Sequence, residues 1–286
     1  MAQDPAIGPI RAVNGCSVPS GGPYSVCLLK GRESMQVKYG RPLAYTAIWG
    51  VIAVAAIAFV PDMFPDRESD SGSAPDAYAA TADMPETLLQ DGTTILVGDP
   101  NAGTVVQLFE DPRCPIVADF EASGAKAIHA HTLQRKTLTS YTLASFKDER
   151  LGGDGSKRAV NALRAALEVQ KFAEYHAVLM EHQAEVEASG GYTTERLLRL
   201  ADQVPGLRGE TLDGAVATMK YADFVTASQA AYERTGDDPA GPGTPAIVIN
   251  RTMLGGEDYK ALFDEDRAAD VLSVVEDRPE ALNRRA

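Results

Sequence analysis

The sequence has few cysteines and a deficit of basic residues. Its three cysteines, Cys16, Cys27 and Cys114, form no C-x-x-C pair, which excludes a small scaffold built on disulfides. Lys and Arg number 27 against 40 Asp and Glu, and the resulting net charge is −13. This balance argues against nucleic acid as a main partner, because neutralising phosphates requires surplus basic side chains. The 23% of charged and 44% of hydrophobic residues are ordinary for a folded protein and exclude a disordered or fibrous chain.

One long apolar run stands out, the 20 uncharged residues from Pro42 to Pro61. A helix of about 20 apolar residues spans a bilayer core of roughly 30 Å. Four basic residues precede the run and four acidic residues follow it closely, so the positive-inside rule orients the chain. We therefore expect a cytoplasmic segment at 1–41, a transmembrane anchor at 42–61 in contact with lipid of the cytoplasmic membrane, and the remainder outside the cell.

Three alternatives to this N-terminal organisation stay open. The run is also compatible with a cleaved signal sequence, since Ala56–Ala58 has the small-x-small pattern of a cleavage site, although it lies inside the apolar stretch. It is also compatible with a buried core helix. Residues 1–34 show no helical or strand period, so translation starting at Met35 is a further hypothesis. Peptide mapping of the native N-terminus distinguishes these cases.

A linker is predicted between the anchor and the folded part. Residues 62–92 are rich in proline and contain the polar run ESDSGSAPD, a composition that cannot bury enough apolar surface to offset the entropy of ordering. The folded domain is therefore predicted at 93–286, which is long enough for one hydrophobic core with an insertion.

The hydrophobic pattern of the folded domain indicates an α/β protein. A nearly continuous apolar strand is typical of a central position in a sheet covered on both faces. Helical spacing of apolar residues marks a long block in the second half. The predicted strands are Thr93–Val97, Thr104–Phe109, Leu138–Phe146, Pro245–Ile249 and Met253–Leu254, and the predicted helices lie at about 116–130, 156–235 and 257–275.

Cys114 is the first candidate for chemistry. It follows a buried type of strand and precedes a helix whose first turn accommodates Pro115 well. The helix dipole favours a thiolate at this position, and amides of the first turn are expected to donate hydrogen bonds to it. A thiolate is the species that attacks disulfides. The alternative is that Cys114 is a small buried hydrophobic residue.

Pro245 is the second candidate. It begins a strand after Gly243 and Thr244, and a peptide bond before proline costs only about 0.5–1 kcal/mol in the cis form. Local packing can therefore hold a cis bond here. The alternative is that Pro245 simply ends a loop.

Several short motifs follow one another along the folded domain: Asp111-x-x-Cys114-Pro115, Phe120-Glu121, Gly153–Ala159, Gly190–Thr193 and Gly243–Ala246. In this order and spacing they resemble the membrane-anchored bacterial branch of the DsbA-like thioredoxin-fold family. The resemblance implies a thioredoxin fold with a helical insertion at about 156–235, preceded by the anchor and linker. It also implies a cis-proline loop that faces the thiol and a Thr244 backbone that pairs with an extended substrate peptide. The implied site residues are Cys114, Pro115, Thr244 and Pro245.

The sequence departs from the family pattern at two positions. The family motif is C-P-x-C, but Val117 stands where the resolving cysteine belongs, and Leu108 stands where many members have a buried acid. Without a second cysteine, Cys114 cannot cycle between an internal disulfide and a dithiol. Both departures make the surroundings more apolar, which opposes ionisation of the thiol, whereas the helix dipole favours it. If Cys114 is buried, desolvation outweighs the dipole and the thiol is inert.

Three functional hypotheses remain at this point. The first is thiol–disulfide exchange with extracytoplasmic proteins or peptides through Cys114 alone, with release by an external thiol. The second is a redox-inactive module that binds peptides beside Pro245, and the third is a structural anchored domain. No cofactor and no metal site is expected, since we interpret His129 and His131 as a solvated helix end and His182 as a core histidine.

Overall fold

The computed structural model describes residues 77–278 and residue 282. The predicted cytoplasmic segment, the transmembrane anchor at 42–61, Cys16, Cys27 and the Met35 start lie outside these residues. Between 77 and 278, none of the helices combines the length and the hydropathy needed to cross a membrane.

Six strands form one mixed sheet in the order β1-β2-β4-β3-β5-β6. Strands β3 and β4 are parallel, and every other neighbouring pair is antiparallel. The strands are β1 (Glu86–Leu88), β2 (Ile95–Val97), β3 (Thr104–Glu110), β4 (Thr137–Leu143), β5 (Ala246–Ile249) and β6 (Thr252–Met253).

The described residues form eleven α-helices, seven of which lie between β4 and β5. They are α1 (Pro115–Glu121), α2 (Ala125–Leu133), α3 (Lys147–Leu151), α4 (Gly155–Leu167), α5 (Phe172–Glu181), α6 (Gln183–Ala188), α7 (Thr194–Ala201), α8 (Glu210–Thr218), α9 (Ala222–Glu233), α10 (Gly256–Ala261) and α11 (Glu265–Asp277).

Strand β3 is central because both of its faces are covered by apolar side chains. Val106 and Leu108 pack in one cluster with residues of α1, α2 and α11. Phe109 points to the other face and packs with Ala246 and Tyr232. Successive side chains of a strand point to opposite faces, so this division follows from the sequence of β3 itself. The end of β3 thereby carries the next residues, including Cys114, to the edge of the core.

The helices between β4 and β5 have a core of their own that continues onto the sheet. Small residues such as Ala162 and Ala166 on α4 are fully buried, which permits close helix packing. Two buried tyrosines have their hydroxyl groups satisfied, since Tyr175 donates to the carbonyl of Leu197 and Tyr192 to that of Leu179, both at 2.7 Å. This block fixes α5 and α6 against the region of Cys114.

The structure corrects two of the predicted boundaries. Strand β1 lies inside the stretch predicted as linker, and the Glu86 carboxylate accepts hydrogen bonds from the amides of Phe172 and Ala173, each at 2.7 Å. A strand of three residues among prolines has too little apolar pattern to be visible in the sequence. The single helix predicted over 116–130 is two helices, α1 ending at Glu121 and α2 beginning at Ala125. Gly124 lies between them, where a Cβ would overlap the carbonyl oxygen of Leu262.

The histidines also differ from expectation. His131 is buried and bonds to Glu276, while the ring of His129 lies 3.0 Å from the Thr81 hydroxyl, so α2 does not end in two solvated histidines. His182 ends α5 in a partly exposed position 3.2 Å from the Gln203 side chain. The histidine in the core is His176, one turn and a half earlier on α5.

Candidate active site at Cys114

Cys114 is placed by the turn between β3 and α1. Its amide donates to the carbonyl of Asp111 at 2.9 Å, and the Asp111 carboxylate accepts from the Arg113 amide at 3.0 Å. Cys114 caps the N-terminus of α1 with extended backbone, and Pro115 is the first helical residue. Proline suits that position because its missing N–H would have no partner within the helix. The local sequence therefore fixes Cys114 at the N-terminus of α1.

The thiol faces the Thr244–Pro245 peptide bond, which is cis. The Cys114 Sγ donates to the Thr244 carbonyl oxygen at 3.3 Å across 130 residues of sequence. Only 1% of Cys114 is exposed, and Thr244 and Pro245 are buried with it. The structure thus brings together all four residues that the sequence singled out, Cys114, Pro115, Thr244 and Pro245.

The surroundings of the thiol are apolar. Cys114 packs with Val117 and with Met180 of α5, and all three are buried. The first-turn amides, which could donate to the sulfur, do not do so in this structure, since the Cys114 side chain makes no cap hydrogen bond. Pro115 has no N–H, and the Val117 amide is used by the Cys114 carbonyl at 3.0 Å. In the described structure, Cys114 is a buried thiol that donates a hydrogen bond to the Thr244 carbonyl.

Two tyrosines hold the cis-proline loop. The Tyr232 hydroxyl accepts from the Gly243 amide and the Tyr259 hydroxyl donates to the Pro245 carbonyl, both at 3.0 Å. The Tyr232 ring stacks on Phe146 with centroids 5.4 Å apart. Burial raises the pKa of Tyr232 and of Tyr259, so both remain protonated. Neither tyrosine carried a signal in the sequence that linked it to the loop.

Arg113 anchors the segment before Cys114. Its guanidinium forms two hydrogen bonds with Glu187 of α6, each 2.9 Å long. It also donates to Asp148 of α3 and to the Gly152 carbonyl, again at 2.9 Å. The Arg113 side chain is buried, and bidentate pairing of this kind is geometrically specific.

The acidic partners of this network are themselves satisfied. Asp148 accepts from the amides of Ser156 and Lys157 at 2.8 and 3.1 Å, at the N-terminus of α4. Asp111 accepts from the Ser156 hydroxyl at 2.6 Å and from the Lys147 amide at 2.8 Å. Burial raises the pKa of Asp111 to about 6, although these hydrogen bonds oppose the shift. We call Asp111, Arg113, Asp148, Ser156 and Glu187 the arginine network.

A cleft of about 460 Å³ lies over Arg113, between the turn at 152–155 and the turn at 190–193. The first of these turns leads directly into α4, which begins at Gly155. Because the Arg113 guanidinium is already paired with two carboxylates, the cleft offers no free positive charge at its floor. The paired Arg113 side chain positions the segment that carries Cys114.

A second buried polar group was missed in the sequence. Glu110 at the end of β3, Glu121 at the end of α1 and His176 on α5 meet between these elements, and we call them the carboxylate–histidine cluster. The His176 Nε2 lies 2.8 Å from a Glu110 oxygen, although the two residues are 66 apart in sequence. Its Nδ1 lies 3.9 Å from a Glu121 oxygen. Only the order of the elements in the fold brings these residues together.

Burial dominates the electrostatics of this cluster. It raises the pKa of Glu110 to about 7, and burial followed by the charge of Glu110 raises the pKa of Glu121 well above its usual range. Burial also lowers the pKa of His176, which favours the neutral imidazole. The cluster therefore holds carboxyl groups whose ionisation is costly without a compensating charge.

The match to a family model identifies the family of this chain. A family model described as Thioredoxin (Thioredoxin_4) matches residues 90–264, more than half of the chain. The chain belongs to this thioredoxin family. No curated protein matches it significantly.

Solved structures of thiol-disulfide oxidoreductases share its fold. The MdbA protein from Actinomyces oris is 17% identical with a TM-score of 0.55, covering 68% of this chain and 91% of its own. MdbA from Corynebacterium diphtheriae is 17% identical with a TM-score of 0.53, and the match covers 68% of this chain and 96% of the MdbA chain. BdbD from Bacillus subtilis is 22% identical with a TM-score of 0.51, covering 71% of this chain and all (100%) of its own. The DsbA-like thioredoxin fold recognised from the sequence motifs is thereby confirmed.

Proposed function

We propose that this protein exchanges thiols and disulfides through the single cysteine Cys114, acting on proteins or peptides outside the cell. The observation that carries the proposal is the contact of 3.3 Å between the Cys114 sulfur and the Thr244 carbonyl, beside the cis peptide bond. In a thioredoxin-family chain, this places one nucleophile next to a backbone segment with which an extended peptide can pair.

The reaction has two balanced steps. The Cys114 thiolate attacks a disulfide of the partner, forming a mixed disulfide with one partner sulfur and releasing the other as a thiolate. Val117 supplies no second sulfur, so the mixed disulfide persists until an external thiolate attacks it. That second attack, on the partner sulfur, releases Cys114 as a thiolate, which can take up a proton from water, and leaves the partner joined to the external sulfur by a disulfide.

Substrate binding and thiol release are coupled in this proposal. The Thr244 carbonyl accepts the hydrogen bond from the Cys114 thiol in the described state. A peptide strand paired with Thr244 would present an amide N–H to the same carbonyl and so compete with the thiol. The pairing would free the sulfur at the moment when a partner disulfide is close.

The surface beside Cys114 suits a protein partner. Ile116, two residues after Cys114 on α1, is 49% exposed and presents an apolar side chain next to the thiol. The relatives with similar folds are described as thiol-disulfide oxidoreductases, which supports partner proteins that carry thiols or disulfides. An external thiol for the release step belongs to the same proposal.

The location belongs to the proposal as well. It rests on the apolar run at 42–61, with basic residues before it and acidic residues after it. A single-pass anchor in the cytoplasmic membrane would place residues 93–286 outside the cell. The test is Leu151→Cys, at a position 53% exposed, in a chain without its own cysteines. A membrane-impermeant maleimide should label it in intact cells, and labelling only after lysis would contradict the orientation.

The central experiment uses the full chain with Cys16→Ser and Cys27→Ser, so that Cys114 is the one remaining thiol. The reduced protein is incubated with an excess of a peptide disulfide at pH 8 and examined by intact mass. We expect a peptide adduct that dithiothreitol removes and that the further change Cys114→Ser abolishes. Absence of the adduct from the folded protein, with its appearance in urea, would contradict the proposal.

One observation favours a second candidate function. Cys114 is 1% exposed and donates a hydrogen bond, which is the arrangement expected of an inert thiol. In that case the protein is a redox-inactive module that binds peptides beside Pro245. Peptide binding that survives Cys114→Ser and fails after Ile116→Asp would support this second function.

A further inference from the structure

We propose that Glu110, Glu121 and His176 form a binding site for a divalent transition-metal cation, with Zn²⁺ as the best fit. The sequence predicted no metal site, and the proposal does not depend on the thiol chemistry of Cys114. It rests on the positions, burial and missing partners of the three side chains.

The three residues lie on rigid elements that converge. Glu110 is the last residue of β3, Glu121 is the last residue of α1, and His176 lies within α5. One ligand atom from each residue lies within 4.8 Å of the other two. On α5, His176 is one turn before Met180, which packs on Cys114 at the other end of α1. The contact between α1 and α5 therefore has an apolar end at the thiol and a polar end at the cluster.

Two carboxylate oxygens of the cluster have no partner. The Oε1 atoms of Glu110 and Glu121 are buried without a hydrogen bond to a donor, and Glu110 is completely buried. Within residues 77–278, the ion pairs of both carboxylates are with His176 alone. The two carboxyl groups can bond to each other only if one retains a proton. A cation at this position would replace that proton and satisfy both oxygens at once.

The donor set suits zinc. One imidazole nitrogen and two carboxylate oxygens are ligands that Zn²⁺ accepts at roughly 2.0–2.2 Å. Three protein ligands leave one of four positions for water, and the Glu121 side chain, 15% exposed, marks the side open to solvent. Calcium takes six to eight oxygen ligands and magnesium requires octahedral oxygen coordination, so both fit poorly.

The chain offers a matched comparison in His131 and Glu276. This buried histidine also bonds to a glutamate, but it has one carboxylate instead of two. Lys136 lies 3.9 Å from Glu276 and already compensates its charge. This pair should therefore not bind the cation, which makes His131→Gln the control for loss of a buried histidine.

The test measures Zn²⁺ binding to the full chain by calorimetry, without an affinity tag and with all three cysteines changed to serine to remove competing thiolates. We expect one Zn²⁺ per chain. Glu121→Gln, at the least buried ligand, should weaken the affinity by at least about tenfold, since even substitutions behind a ligand cost 10–100-fold. His131→Gln should bind as the parent does.

Folding is checked for each variant by thermal melting in EDTA. Should Glu110→Gln fail to fold, Glu121→Gln and His176→Gln still decide the question, and Co²⁺ absorption provides an independent readout of the ligands. Absence of stoichiometric Zn²⁺ binding to the parent would overturn the proposal and leave a proton shared by two carboxyl groups. An equal loss of Zn²⁺ affinity in His131→Gln and Glu121→Gln would also overturn the proposal.

Discussion

Two buried polar groups flank Cys114 and differ in how completely their charges are paired. In the arginine network, Arg113 makes four hydrogen bonds, and the carboxylates of Asp111 and Asp148 receive donors on both oxygens. In the carboxylate–histidine cluster, Glu110 and Glu121 each keep one oxygen without a partner. Burial is similar, so burial alone does not distinguish a structural group from a candidate site.

The difference has a physical meaning. A buried charge with matched donors holds the local backbone, and removing one partner exposes the cost of desolvating the others. A buried carboxylate oxygen without a donor contributes little stability and remains available to a ligand or a proton. The arginine network therefore positions the segment before Cys114, whereas the carboxylate–histidine cluster keeps two oxygens available, as the proposed cation site requires.

The largest expected effect comes from breaking the paired group. Arg113→Met leaves the buried Asp148 and the partly buried Glu187 without their cation, and we expect a loss of about 3–5 kcal/mol in the free energy of unfolding. Urea denaturation measures it. Arg158→Met is the matched control, because the exposed pair with Asp154 should contribute no more than about 1 kcal/mol. An equal loss in the free energy of unfolding in the two variants would contradict the structural role of the arginine network.

A smaller effect is expected from the unpaired group. Glu110→Gln removes one of two neighbouring carboxylates and supplies an amide donor for the free oxygen of Glu121. In EDTA, the free energy of unfolding should change by at most about 1 kcal/mol, or rise, because a well-placed donor is worth roughly that much. The measurement is the same urea titration. A loss comparable to that of Arg113→Met would show that the cluster is structural.

The smallest effect concerns Glu86, a buried carboxylate whose two oxygens accept backbone amides of α5. Burial raises the pKa of Glu86 above its ordinary value of 4.5. The folded chain therefore holds this proton more tightly than the unfolded chain. The free energy of unfolding should then fall as the pH rises from 4.5 through the raised pKa. Glu86→Gln should remove this part of the slope, and an unchanged slope would assign it to other groups.

The sequence was sufficient for what local patterns determine. The apolar run of β3, the placement of Cys114 before Pro115 and the proline that begins β5 each depend on a few adjacent residues. The resemblance to a known family then joined them into one fold and one site. The short strand β1 was not predicted, because three residues in a proline-rich stretch carry little hydrophobic pattern.

Contacts between distant residues could not be predicted in this way. Nothing local distinguishes His176 from His182, yet α5 buries the first against Glu110 and leaves the second partly exposed at its end. The need for glycine at Gly124 depends on the approach of Leu262 from the C-terminal part of the chain. The partners of Arg113 and the tyrosines that hold the Pro245 loop depend on tertiary packing in the same way.

The central claim is that Cys114 exchanges disulfides without a resolving partner. The direct test compares the lifetime of a peptide mixed disulfide at Cys114 in the parent chain and in Val117→Cys, at neutral pH without added thiol. We predict that the adduct persists in the parent and decays at least about a hundredfold faster in Val117→Cys, since a neighbouring thiol acts at a very high effective concentration. Failure of the parent to form the adduct, or equal lifetimes in the two chains, would contradict the account.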